Sequence, residues 1–493
     1  MQLSSISLAI TRLVGGLSAP PVFTPASIFT PGVNGFWHDP SDYSTLFQDA
    51  AGTTPVTAVE QPVGLMLDKS KGLVLGPELV TNGDFIGGST GWLIGGGWTI
   101  TGGEAVASGT SNFLYQTPSA IKAYRYYECK VVVSNYTSGS LQIYVGGAPA
   151  TYSSNITSNG AYVFRMFTST SSQLGVKGNA FAGTVDNISV KELTGNHAFQ
   201  STSANRPTLS ARYNLLAGTE SLGNQTVTTQ ATSYRLTFSG TGTIALSGSS
   251  VLAAVTAGTY TFSAAAGSLV VTVVGSVTQA DIRATNDSLG QSAYQRVNTS
   301  TDYDTVGFKP YLRFNGTSSS MQTNSIDFTA TDKMFVCAGV RKLSDAATGV
   351  IVENGPWYTP GTPGFSVVAS ANYTPINNYE FGLAGTSLIA KADLNYIAPI
   401  TNLLSIYYDI AGTTKDQEIA SKINGVTPSN VAWYLTSAGT GYFGNQPIYI
   451  GARVGSSRFF NGRLHQLVIA GKQASASEIT NTETFINQKT GAY

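Results

Sequence analysis

Trp98-Thr-Ile100, Val131-Val-Val133, Leu141-Gln-Ile143-Tyr-Val145, Tyr162-Val-Phe164 and Ile188-Ser-Val190 decide the fold class. In each run apolar residues recur at every second position, the period of a strand with one buried face. Clusters of Gly, Ser, Thr and Asn stand between the runs, so residues 81–193 read as an antiparallel sandwich. A second unit of the same texture spans residues 214–286, with Leu236-Thr-Phe238, Ile244-Ala-Leu246, Tyr260-Thr-Phe262 and Leu269-Val-Val271 as strands. Beyond residue 290 the runs are longer and more apolar: Met334 to Val340, Leu403 to Tyr408, Ile448 to Ile450 and Leu464 to Ile469. They predict the largest core. One helix is readable near the end. Ser475 and Glu478 form a capping box, Ile479, Thr482 and Ile486 share a face, and Gly491 follows. It is expected on the sandwich edge. The chain therefore reads as all-β, several antiparallel β-sandwiches with one short C-terminal helix.

At 493 residues the chain exceeds what one core holds, which predicts about three domains. Only 11% of residues are charged, the net charge is zero, and no Lys/Arg run occurs. That excludes the electrostatic footprint of a nucleic-acid or acidic-membrane binder. Cys129 and Cys337 lie far apart in apolar runs and are expected as free, buried thiols. The opening MQLSSISLAITRLVGGLSAPP lacks a basic stretch before its apolar one, so a signal peptide is not expected. No apolar run approaches the roughly 18 residues of a membrane helix, and a soluble protein is expected. Pro20, Pro21, Pro25 and Pro31, spaced through small residues, predict that residues 1–35 form an extended arm that docks on something else.

Tyr311-Leu-Arg-Phe-Asn-Gly316 and Phe460-Asn-Gly-Arg-Leu-His-Gln-Leu-Val-Ile469 resemble two strands of the laminin-G/concanavalin-like lectin superfamily. The segment Phe36-Trp-His-Asp-Pro-Ser-Asp42, with Leu46-Phe-Gln-Asp49 and Asp68-Lys-Ser70, resembles the opening of lectin-like proteins of tailed-bacteriophage structural clusters. In those relatives the line continues unbroken, whereas here Asp68-Lys-Ser-Lys-Gly72 is separated from Gly195-Asn-His-Ala198 and Arg206-Pro-Thr-Leu209. A sandwich inserted in one loop explains the gap and predicts that Gly72 and Gly195 lie close together. The insert resembles jelly-roll carbohydrate-binding modules through Glu78-Leu-Val-Thr-Asn-Gly-Asp-Phe85, Gly91-Trp92 and Val185-Asp-Asn-Ile-Ser-Val190. In that family the first and last strands lie side by side and often hold structural calcium. The resemblance thus implies a possible calcium held by Asp84 and Asp186; the alternative is that Asp186 and Asn187 cap a turn. The expected divisions are an arm 1–35, lectin-like parts 36–76, 195–213 and 289–493, a jelly-roll insert 77–194 and a small inserted sandwich 214–288.

No residues point to catalysis. His38, His197 and His465 lack metal-ligand spacing or an adjacent nucleophile, and the Gly-rich turns lack the Gly-Lys-Ser/Thr of a phosphate loop. The chain is read as a non-enzyme. Aromatics remain: sugar rings present flat C–H faces that pack on Trp and Tyr. Trp92, Trp98, Tyr115 and Tyr144 in the insert are candidates, with Trp98 and Trp92 flanking the turn Gly95-Gly-Gly97. Trp357 and Tyr358, in the Pro/Gly loop 355–364, complete the set. Core or subunit packing is the alternative for each. The resemblances together imply a bacteriophage virion surface protein of tail-fibre, spike or receptor-binding type. Its arm would join other virion proteins, its sandwiches would bind host-surface glycan, and it would assemble as a homotrimer. A capsid decoration or head-fibre protein is the alternative, and the binding portion of a secreted carbohydrate-active enzyme a third.

Overall fold

The computed structural model describes residues 23–118, 120–168, 170–287, 289–355, 362–370 and 377–493. They form three sandwiches with separate cores. The largest stacks a seven-stranded sheet on a ten-stranded one. In the first sheet the neighbours run Thr208–Ser210, Tyr311–Asn315, Asn461–Ala470, Lys333–Lys342, Ile400–Asp409, Ile419–Ile423, and Gly35–His38 also pairs with Asn461–Ala470. The second includes Gly349–Asn354, Gly364–Ala369, Asn378–Ala384 and Leu388–Leu394. Between them lie Phe314, Val336, Val340, Phe365, Phe381, Ile406, Leu467 and Ile469.

Lys333–Lys342 shows why this unit reads as unbroken apolar runs. Met334, Val336, Ala338 and Val340 enter the inter-sheet core, while Phe335 and Cys337 on the opposite face are covered as well. Their cover is the helix Ala476–Thr490, whose Ile486 packs with Phe335, Cys337, Leu403 and Val468. The capping box forms as the sequence predicts, and Gly491 ends the helix at φ 64°. The helix lies on the outer face of the seven-stranded sheet, not on the sandwich edge as expected, because that face is itself apolar. Ile28, Phe29 and Trp37 belong to the same cluster, with Phe23, Ala26 and Val33 against it. Residues 23–35 are thus packed onto the sandwich and not extended away from it as expected, and the rest of the expected arm, residues 1–22, lies outside the described residues.

The first insert is built on two long antiparallel strands, Arg125–Val145 and Leu174–Leu193. Each passes through a positive-φ residue, Asn135 at 49° and Ala180 at 50°, where the pairing of the two strands shifts register as at a β-bulge. Their inward residues, among them Val131, Val133, Leu141, Ile143, Val176, Val185 and Val190, form one core. At the neck, Leu193 pairs with Leu75, and the Thr194 hydroxyl donates to the Val74 carbonyl at 2.8 Å. The Asn196 N–H donates to Asp68 Oδ2 at 2.8 Å, joining both chain paths to the large sandwich. Tyr126, Phe167 and Leu193 of the insert pack on Phe47, Leu65, Leu67 and Phe199 of its host.

The second insert sets a four-stranded sheet on a three-stranded one around Leu236, Phe238, Ile244, Leu246, Leu269, Val271 and Ile282. Asn214 staples its neck: Oδ1 accepts from the N–H groups of Leu216 and Ile282, and Nδ2 donates to Ala280 and Gln295 carbonyls. Nearby Asp287 bridges Arg463 at 2.7 Å and Arg341 at 3.4 Å, tying this unit to the host.

Candidate functional site

Trp92 and Trp98 are core residues, which corrects the sequence expectation. Trp92 is 6% exposed, lies 5.1 Å from Phe85 with the rings tilted by 37°, and donates its indole N–H to the Asn82 carbonyl at 2.9 Å. Trp98 is 5% exposed, lies 6.0 Å from Phe181, and donates to the Asn112 carbonyl at 3.1 Å. The cause is the glycine turn. The Thr110 hydroxyl and the Asn112 amide both donate to the Gly96 carbonyl, at 2.6 and 2.8 Å, and draw the turn onto the sheet so that the indole enters the interior. Trp357 and Tyr358 lie outside the described residues.

Asp186 accepts from the Asn187 N–H at 2.6 Å and from Asn187 Nδ2 at 2.8 Å, so both carboxylate oxygens are occupied by donors. Asp84 accepts from the Ile86 N–H at 3.3 Å. These carboxylates cap turns. No group of three or more His, Cys, Asp or Glu side chains converges among the described residues.

The three histidines are buried structural groups. His197 Nδ1 accepts from the Asp68 N–H at 2.9 Å, and His38 Nε2 meets the Asn196 carbonyl at 3.1 Å. Burial pushes His38 down to about 4 against the partial opposition of Asp68, and burial with Arg463 beside it pushes His465 down to about 3.

Tyr115 and Tyr144 are brought together by strand pairing. Across one sheet of the first insert Leu93 pairs with Tyr115, Tyr115 with Gly175, Gly175 with Tyr144, and Tyr144 with Tyr152. Directly paired residues point to one face. Leu114, Ile143 and Val176, one position along, fill the core, so this row lies on the outer face. In the next row Phe113 and Gln142 flank Lys177. The rings touch: Phe113 meets Tyr144 edge-on at 5.4 Å, and Tyr152 lies 5.5 Å from Tyr144. Tyr144, 1% exposed, is the floor, and Tyr152, 37% exposed, is a rim. Gly175 is required here, since a Cβ would sit 2.2 Å from the Leu114 carbonyl oxygen; it leaves no side chain between Tyr115 and Tyr144.

Within the described residues no hydrogen bond engages the hydroxyls of Tyr115, Tyr144 or Tyr152. Burial, with Tyr152 and Tyr115 adding to it, raises the Tyr144 phenol above its ordinary range, so it is a neutral donor and acceptor. The face thus combines ring surface with three free hydroxyls. Sequence reading missed Phe113, Tyr152 and Lys177. The alternation of Phe113-Leu-Tyr-Gln116 puts Phe113 and Tyr115 on one face, a signal that was available, but Tyr152 and Lys177 join only through pairing register.

No family model matches the chain, and no curated protein matches it. Among solved structures it is similar to the binding domain of Paraclostridial Mosquitocidal Protein 1, at 16% identity and TM-score 0.26, over 36% of this chain and 43% of that one. It is also similar to the Ruminococcus gnavus IT-sialidase CBM40 bound to alpha2,6 sialyllactose, at 12% identity and TM-score 0.23, over 31% of this chain and 84% of that one. A third is the CBM22-1-CBM22-2 tandem domain of Paenibacillus barcinonensis Xyn10C, at 9% identity and TM-score 0.22, over 80% of this chain and 98% of that one. The chain spans less than half the length of the first of these, 43%.

Proposed function

We propose that this protein is a non-enzymatic glycan-binding protein of a bacteriophage virion surface, of tail-fibre or receptor-binding type, and that the first insert is its binding module. The observation that carries the glycan reading is the tyrosine face: Phe113, Tyr115, Tyr144 and Tyr152 gathered outside the core with three phenol hydroxyls unengaged. A sugar ring stacks on the exposed aromatic rims while its hydroxyls bond to the phenols. The virion assignment draws on the resemblance of residues 36–49 and 68–70 to phage lectin-like proteins, and the surface role on the insertion of whole sandwiches into host loops.

Binding of the full chain to a glycan array, with Tyr115→Ala and Tyr152→Ala alongside, tests the face. Each substitution removes one ring and one hydroxyl, so affinity is expected to fall about tenfold or more while the melting temperature holds. Undiminished binding in both variants would remove this face from the function. Antibody labelling of intact phage particles tests the location, and light scattering of the purified protein tests the trimer.

A further inference from the structure

We propose that the glycan held on this face is acidic, and that the Lys177 ammonium receives the carboxylate of a uronic acid unit. The inference rests on the glycan reading above and names the ligand class of the same site. Lys177 follows Gly175 by two positions on one strand, so its side chain rises from the face that carries the tyrosines. Its Nζ lies 5.4 Å from the Phe113 ring centroid and 5.6 Å from that of Tyr152.

Two aromatic rings attract an ammonium but carry no counter-charge. Four other lysines of this chain have a carboxylate partner, whereas Lys71 and Lys309 donate to the backbone carbonyls of Val33 and Leu289. Lys69 has Asp42 at 2.6 Å, Lys342 has Asp345 at 2.7 Å, Lys391 has Asp393 at 3.3 Å and Lys472 has Glu478 at 2.7 Å. Among the described residues, no ion pair or hydrogen bond engages the Lys177 ammonium. A cation flanked by rings is shielded from water on two sides, where a carboxylate gains more than it would at an open surface. The three phenols beside it supply the neutral contacts that orient the same sugar ring. A carboxylate at C6 of a hexose stacked on Tyr152 has both the charge and the reach to complete that ammonium.

The test uses the full chain on immobilised oligosaccharide pairs identical except at C6, one member a uronate and the other the parent hexose. The uronate member is expected to bind about tenfold tighter or more, with the preference shrinking as salt rises. Lys177→Gln should bring the uronate down to the level of its neutral partner, and Lys177→Arg should retain most of the preference. Equal binding of both members by the wild type, or a preference that survives Lys177→Gln, overturns the acidic assignment. If Tyr115→Ala abolishes binding in that case, the glycan reading stands alone. Failure of the wild type to bind any member, with its melting curve intact, counts against the glycan reading and this inference together.

Discussion

Replacing Trp98 with alanine removes the largest side chain at one end of the insert's core. The indole is 5% exposed, packs on Phe181 at 6.0 Å, and satisfies the Asn112 carbonyl at 3.1 Å. Truncating a buried aromatic costs about 3–5 kcal/mol, while the Asn112 carbonyl keeps the Gly178 N–H at 3.1 Å as a partner. Because the insert has its own core, the loss falls on that unit. A destabilisation of about 4 kcal/mol in a unit of this size lowers its melting temperature by more than about 10 °C. Differential scanning calorimetry of the full chain, followed in parallel by near-ultraviolet circular dichroism, resolves that transition from the host's. Glycan binding measured at low temperature, per folded molecule, should be unchanged, since Trp98 is absent from the tyrosine face. Trp98→Phe keeps most of the volume and should lose only about 1–2 kcal/mol. A melting temperature within error of wild type together with lost binding would refute the core assignment and return Trp98 to the site.

Acid is expected to weaken the fold through the histidines. His38 and His465 are held neutral by burial, at about 4 and about 3 against 6.5 for a free imidazole, so below pH 6.5 the unfolded chain takes up protons that the folded chain refuses. Stability is therefore full above that pH and falls on acidification toward pH 4 by roughly 1.4 kcal/mol per unit for each such group, which urea midpoints at pH 7 and pH 5 measure; an equal midpoint at both contradicts it. A chelator should leave the melting temperature of the insert where it is, because among the described residues no group of three or more carboxylate, imidazole or thiol side chains converges; a clear downward shift would show a bound ion. Cys129 and Cys337 are fully buried, and burial pushes the Cys337 thiol up to about 12, so a thiol reagent should label neither until the chain unfolds. Ser475→Ala breaks the capping box and should cost about 1 kcal/mol in the host transition, with Ser475→Asp restoring most of it.

The parts legible in the sequence are those set by neighbours along the chain. Period-two alternation marks the strands, and Ser475, Glu478 and Gly491 mark both ends of the helix because caps are local chemistry. Alternation also tells which residues share a face, but not which face is inward. Trp98 and Tyr115 are both aromatic residues in alternating runs, and only the closure of the sandwich sends one inside and the other out. Lys333–Lys342 shows the same limit from the other side: it alternates between two covers, and the helix that supplies the second is more than 130 residues away. The tyrosine face depends on register among five strands from residues 93 to 177, including the two-residue strand Thr151–Tyr152, which no local pattern announces.

The clasp between Val74 and Thr194 also makes the two sandwiches thermodynamic partners. For the host, the roughly 120 residues between those positions are a loop, and closing a loop that long costs about 3 kcal/mol more than closing a four-residue turn. While the insert is folded its own strands hold the ends together, and the host is spared that entropy. When the insert melts, the host inherits a slack loop and is weakened by about the same amount, even though none of its own contacts has changed. Damage confined to the insert is thereby transmitted to the body that carries it, and a stably folded guest is a condition for the host's full stability.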